Sequence, residues 1–149
     1  MLNWFAPFLS QEHPLLSHAL PIPASLCVAV LAPHPDDFDL IGVTLRHLRD
    51  NGNPINLAVL TSGASGVEDS FQPNLTNASK AAVREAEQRA SCAFFGLPEE
   101  RLTFLRLTED VEGHLEASAA NLDRLRDWWD AHPADLVFLP FLNFLTMIY

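Results

Sequence analysis

The segment Ala32-Pro33-His34-Pro35-Asp36-Asp37-Phe38-Asp39 places one imidazole and three carboxylates within six residues. Adjacent aspartates held as anions repel each other, and a bound cation relieves that repulsion. A histidine nitrogen combined with aspartate oxygens suits Zn2+ better than Mg2+ or Ca2+. Pro33 and Pro35 restrict the backbone on both sides of His34 and pre-orient its ring. Consecutive side chains point in different directions, so one aspartate can bind the ion while the other takes the proton of a metal-bound water. A structural role stands beside this one. Asp36, Asp37 and Asp39 could instead serve the N-terminus of a helix starting near Leu40, with Asp39 as its N-cap, where acidic groups contribute about 0.3–1 kcal/mol each. Capping requires neither His34 nor its flanking prolines.

The elements around this segment alternate regularly. Residues 26–32 form an apolar run rich in branched side chains, as expected of a strand buried on both faces. Ile41, Leu45 and Leu48 predict a helix over 40–49, which Asn51-Gly52-Asn53-Pro54 stops. Further strands are predicted over 55–60, 102–107 and 136–139. Helices are predicted over Asn77–Phe95 and 117–131, ended by Gly96-Leu97-Pro98 and His132-Pro133. Ala82, Ala86, Ala90 and Ala93 are expected to form the face that lies against the sheet. Alternating strands and helices imply βαβ units and a mostly parallel α/β sheet, whose ligands gather at the carboxyl ends of the strands. The loops to inspect begin at Ala32, Thr61, Thr108 and Pro140.

The chain has 149 residues, enough for one domain with a real core. Its 9 basic against 19 acidic side chains leave a net charge of −10, which argues against nucleic acid and anionic membranes as partners. Cys27 and Cys92 sit far apart in apolar stretches and read as buried thiols of a reducing, cytoplasmic compartment. Residues 1–24, with Pro7, Pro14, Pro21 and Pro23, read as an extended arm. Their apolar start is too short for a membrane span, which needs about 20 residues, and no basic residue marks it as a secretory signal.

Ala32-Pro33-His34-Pro35-Asp36-Asp37 resembles the His-Pro-Asp-Asp signature of the PIG-L / LmbE-like zinc-dependent N-deacetylases. Gly42, Thr61-Ser62-Gly63, Arg84-Glu85-Ala86-Glu87, Ala90 and Gly96-Leu97 follow in the family's order, over about residues 26–140. The resemblance implies a Rossmann-like three-layer sandwich, with an arm over 1–24 and a deacetylase domain over 25–149. It implies His34 and Asp37 as zinc ligands and Asp36 as the general base. Arg84 would hold the substrate, an N-acetylglucosamine-type conjugate that yields an amine and acetate. The alternative for Arg84 is a solvated residue paired with Glu87 or Gln88. Thr61 and Gly63 would shape the pocket wall.

Three departures from the family pattern stand out. Phe38 occupies a position that is commonly Glu, and Ala64 one that is frequently acidic. A catalytic zinc keeps three protein ligands, and the family's third, a histidine in a His-x-Asp-His-like motif after the fourth strand, has no counterpart after His132. The apolar, uncharged residues 141–149 are expected either to mark a reading frame lost near codon 140, leaving a C-terminally truncated domain, or to form a last buried strand. His114 lies at the correct end of the sheet to substitute. His47 and His132 read as structural, and His13 and His18 belong to the arm. Two other readings remain: an inactive remnant or metal-binding module of the same fold, and a Mg2+-dependent phosphohydrolase using Asp37 and Asp39 with Gly63 to Gly66 as phosphate cradle. An incomplete sheet would also leave an edge open to homo-oligomerisation.

Overall fold

Four apolar runs form parallel strands in a computed structural model that describes residues 21–71, 73–110 and 113–139. They are β1 (Val28–Ala32), β2 (Ile55–Val59), β3 (Leu102–Phe104) and β4 (Leu136–Phe138), ordered β3-β2-β1-β4. Val28 pairs with Ile55 on one side and Leu136 on the other, and Leu57 pairs with Leu102. β1 is buried along its whole length. Val28, Val30 and Ala32 face one apolar layer with Leu45, Leu48 and Cys92, while Ala29 and Leu31 face a second with Leu107 and Trp128. This two-sided burial explains why the strand reads as a continuous apolar run. Each fully buried Leu contributes about 1.5–3 kcal/mol relative to exposure.

Helices α2 (Gly42–Asp50) and α3 (Asn77–Phe95) cover the first face and α4 (Ala119–Ala131) the second, giving the expected three layers. The chain moves from β1 outward to β2 and β3, then returns through α4 to β4 on the other side of β1. The order therefore reverses between the carboxyl ends of β1 and β4, where open α/β sheets bind ligands. Among the described residues no helix is long and apolar enough to cross a membrane.

Three local expectations need correction. The helix over 40–49 is two pieces: a single turn α1 (Asp37–Leu40), then α2 after the non-helical Ile41. Asp39 lies inside α1 and caps nothing; its Oδ1 accepts from Ser91 Oγ at 2.5 Å. The short turn lets Phe38 drop into the core, edge-on to Phe95 at 5.0 Å. β3 stops at Phe104 because Arg106 takes a left-handed φ of 48°, although Leu105 and Leu107 still donate to Val59 and Leu60.

The third correction concerns α3, whose bounds and glycine stop agree with expectation. Ala82, Ala86, Ala90 and Ala93 face solvent, and the buried side is Lys80, Glu85, Gln88 and Cys92. Buried polar groups are tolerable only when paired, and here each is. Lys80 meets Asp69 at 2.5 Å, and Glu85 accepts two bonds from Arg106. Gln88 bonds the backbone of Asp36. The arm over 1–24 lies outside the described residues up to residue 20, as do residues 140–149 with the Pro140 loop and the apolar tail.

Candidate functional site

β1 delivers His34, Asp36 and Asp37 to its carboxyl end, and the next strand holds the loop in place. Leu60 N–H donates to the Ala32 carbonyl at 2.8 Å, and Thr61 donates to the Pro33 carbonyl through both N–H (2.9 Å) and Oγ1 (3.0 Å). Asp36 then turns the chain with a left-handed φ of 89°, a conformation that costs a non-glycine residue about 1–2 kcal/mol. Strain of this kind persists only where surrounding structure imposes it. Buried Gln88 does so, accepting the Asp36 N–H at 2.8 Å.

The turn brings His34 and Asp37 together. Asp37 Oδ2 accepts the His34 backbone N–H at 2.9 Å and lies 3.4 Å from His34 Nδ1. Two donors of a tetrahedral zinc shell, each about 2.0–2.1 Å from the ion, stand roughly 3.3–3.4 Å apart, so this pair fits one edge of such a shell. Among the described residues no group of three His, Cys, Asp or Glu side chains is placed to hold an ion. The pair supplies two donors.

Asp36 reaches α3 from the same turn. Its Oδ1 lies 3.2 Å from Arg84 Nη2, which also donates to the Pro35 carbonyl at 2.7 Å. Arg84 is thus turned into the site with only 18 % of its side chain exposed, rather than paired with Glu87 or Gln88. Its Nε is buried without a hydrogen-bond partner among the described residues. Beside it opens a cleft of about 420 Å³ between Gly66, Val67, Phe71, Val83 and Glu87. A second cavity of about 150 Å³ lies at the switch point, lined by Ala32, Pro33, Asp37, Ile41 and Phe138.

Gly63 closes the wall between these groups. A Cβ there would stand 3.0 Å from Pro35 Cδ and 3.4 Å from both His34 Cβ and Arg84 Nε, at a φ of +60°. Thr61 is buried at the neighbouring position. Both departures from the family pattern that lie in the described residues are apolar side chains turned inward: Phe38 is 1 % and Ala64 7 % exposed.

The remaining candidates fall elsewhere. His114 stands 3.5 Å from Asp110 on the loop after β3 and is largely exposed. His132 bonds the Trp128 carbonyl and stacks on its ring. His47 lies on α2. Asp39 is engaged by Ser91, and His13 and His18 lie outside the described residues. Two residues of the site escaped sequence reasoning. Gln88 is one helical turn beyond Arg84, a spacing that puts both on one face. Glu109 sits in the loop after β3, its Oε1 4.0 Å from His34 Nε2.

Comparison with known proteins agrees with this architecture. A family profile described as "PIG-L: GlcNAc-PI de-N-acetylase" matches residues 29–143. A search of curated proteins found no match. The solved structure of an N,N'-diacetylchitobiose deacetylase from Pyrococcus horikoshii, complexed with an inhibitor, aligns with a TM-score of 0.65 at 25% identity, covering 78% of this chain and 41% of that one. GalB, the 4-carboxy-2-hydroxymuconate hydratase from Pseudomonas putida, shares the fold with a TM-score of 0.64 at 19% identity, covering 75% of this chain and 45% of that one. The chain thus spans less than half the length of both solved structures. The profile match covers most of the chain, and with the parallel sheet and its deacetylase neighbour it identifies the chain as a member of the PIG-L family.

Proposed function

We propose that this chain carries the metal-binding and proton-transfer residues of a zinc-dependent hydrolase that removes an acetyl group from an N-acetyl amino sugar conjugate. The observation that supports it most is the 3.4 Å approach of His34 Nδ1 and Asp37 Oδ2 on the turn that also carries Asp36, whose carboxylate is held by Arg84. His34 and Asp37 would hold the ion. When bound, zinc supplies a Lewis acid for the acetamide carbonyl and lowers the pKa of water.

This chain's residues do the rest. Asp36 accepts a proton from the attacking water and returns it to the leaving nitrogen, so that amide and water become amine and acetate. Arg84 holds that carboxylate at 3.2 Å and lines the adjoining cleft. Thr61 holds the loop, and Gly63 lets Pro35, His34 and Arg84 close on one another. The family description and the N,N'-diacetylchitobiose deacetylase among the structural neighbours support the substrate class. Both cysteines are free thiols, Cys92 buried as expected and Cys27 only partly so just before β1, and free thiols suit a reducing cytoplasm.

The test is acetate release from N,N'-diacetylchitobiose and N-acetylglucosaminyl conjugates by zinc-loaded protein. Wild type should release acetate, and Asp36→Asn should slow it by about 10²–10⁴-fold while still binding zinc. Zinc binding with no acetate release from any of them would favour the metal-binding module instead.

A further inference from the structure

Glu109 is anchored more firmly than a loop carboxylate usually is. It begins a small hairpin in which it bridges to Leu115, with Asp110 N–H donating to the His114 carbonyl at 2.8 Å. Just before it, Thr108 is clamped by the buried Asn121 of α4, which accepts the Thr108 N–H at 2.9 Å and donates to the Thr108 carbonyl at 3.0 Å. Ser62 Oγ, from the loop after β2, donates to Glu109 Oε2 at 3.3 Å. The other oxygen, Oε1, is buried with no hydrogen-bond partner among the described residues, and it lies 4.0 Å from His34 Nε2. An unsatisfied buried carboxylate oxygen costs stability, about 1–3 kcal/mol or more for a charged group, so its retention needs a reason.

His34 supplies one. Its Nδ1 faces Asp37 and its Nε2 faces Glu109, so each ring nitrogen has a carboxylate on its own side. A histidine that ligates a metal through one nitrogen commonly donates its other N–H to a carboxylate, which sets the tautomer and ring orientation and raises ligand basicity. We infer that Glu109 is a positioning residue that keeps the His34 proton on Nε2 and so presents Nδ1, beside Asp37, to the ion. At 4.0 Å the contact is longer than a hydrogen bond. Such contacts are often long before the site is loaded. The inference rests on the metal-site reading above.

The experiment measures zinc affinity by competition with a chromophoric chelator, for wild type, His34→Ala, Glu109→Gln and Glu109→Ala. Folding of each variant is checked by its backbone amide spectrum. Glu109→Gln keeps the shape and the Ser62 contact, so a folding defect is not expected of it. It should bind zinc about 10–100-fold more weakly, and Glu109→Ala at least as much so. Long-range 15N correlation spectra of zinc-loaded wild type should show His34 bound through Nδ1 with the proton on Nε2. Unchanged affinity in Glu109→Gln, or coordination of His34 through Nε2, would overturn the role of Glu109 and leave the metal site standing. Undiminished zinc binding by His34→Ala would instead remove the metal-site reading, and the role of Glu109 with it.

Discussion

The buried side-chain oxygen of Gln88 accepts the backbone N–H of Asp36 at 2.8 Å, tying the middle of α3 to the turn that carries the proposed base. Gln88→Leu keeps the volume and removes the acceptor, leaving a strained residue with an unpaired N–H. Denaturant unfolding should show a loss of about 1–3 kcal/mol. Acetate release should fall too, because Asp36 is no longer held.

Asp36 itself pairs strain with function. Its φ of 89° suits glycine, and its carboxylate is largely exposed, so the pair with Arg84 adds little to stability. Asp36→Gly should therefore gain stability, by about 0.5–1 kcal/mol after allowance for the more flexible unfolded chain, while acetate release collapses. Thermal unfolding and the hydrolysis assay, run on the same preparation, check both halves.

Gly63 offers the opposite case. Gly63→Ala adds a Cβ at a positive φ, 3.0 Å from Pro35 Cδ and 3.4 Å from His34 Cβ. A destabilisation of about 1–2 kcal/mol is expected, together with weaker zinc binding as the His34 loop is pushed aside. Chelator competition reads the second effect independently of the first.

The Glu85–Arg106 pair makes the fold sensitive to acid. Hydrogen bonding to the Arg106 guanidinium is the main reason the Glu85 carboxyl lies below its ordinary value of 4.5, with burial opposing it and Arg89 assisting. A carboxyl lowered by folding contributes stability that is fully present above its unfolded value and is lost as pH falls through the folded one. Stability from this pair should thus hold above about pH 4.5 and decline below it. Arg106→Met should flatten that acid limb and cost about 1–2 kcal/mol at neutral pH, since Arg89 still reaches Glu85 at 3.2 Å. Unfolding free energies across the acid range measure both.

Much of this was legible in order and type. The apolar run before His34 reads as a two-sided strand because both faces of β1 are covered, and the His-Pro-Asp-Asp segment reads as a candidate site because His34 and Asp37, three residues apart, meet on one turn. What depended on distant partners was not legible. The alanines of α3 looked like a packing face, yet the polar side of that helix is buried because Asp36, Arg106 and Asp69 reach it from other segments. Arg106 ends β3 through a left-handed backbone conformation that no residue preference announces. Glu109 carries no local pattern at all; only the hairpin and the Asn121 clamp bring it to His34.

The most direct test is the zinc content of purified protein after incubation with excess zinc and gel filtration. Wild type is expected to retain one zinc per chain, and His34→Ala and Asp37→Asn to lose it. A wild-type chain that emerges metal-free, or variants that keep the full complement, would contradict the assignment of His34 and Asp37 as the pair that grips the ion.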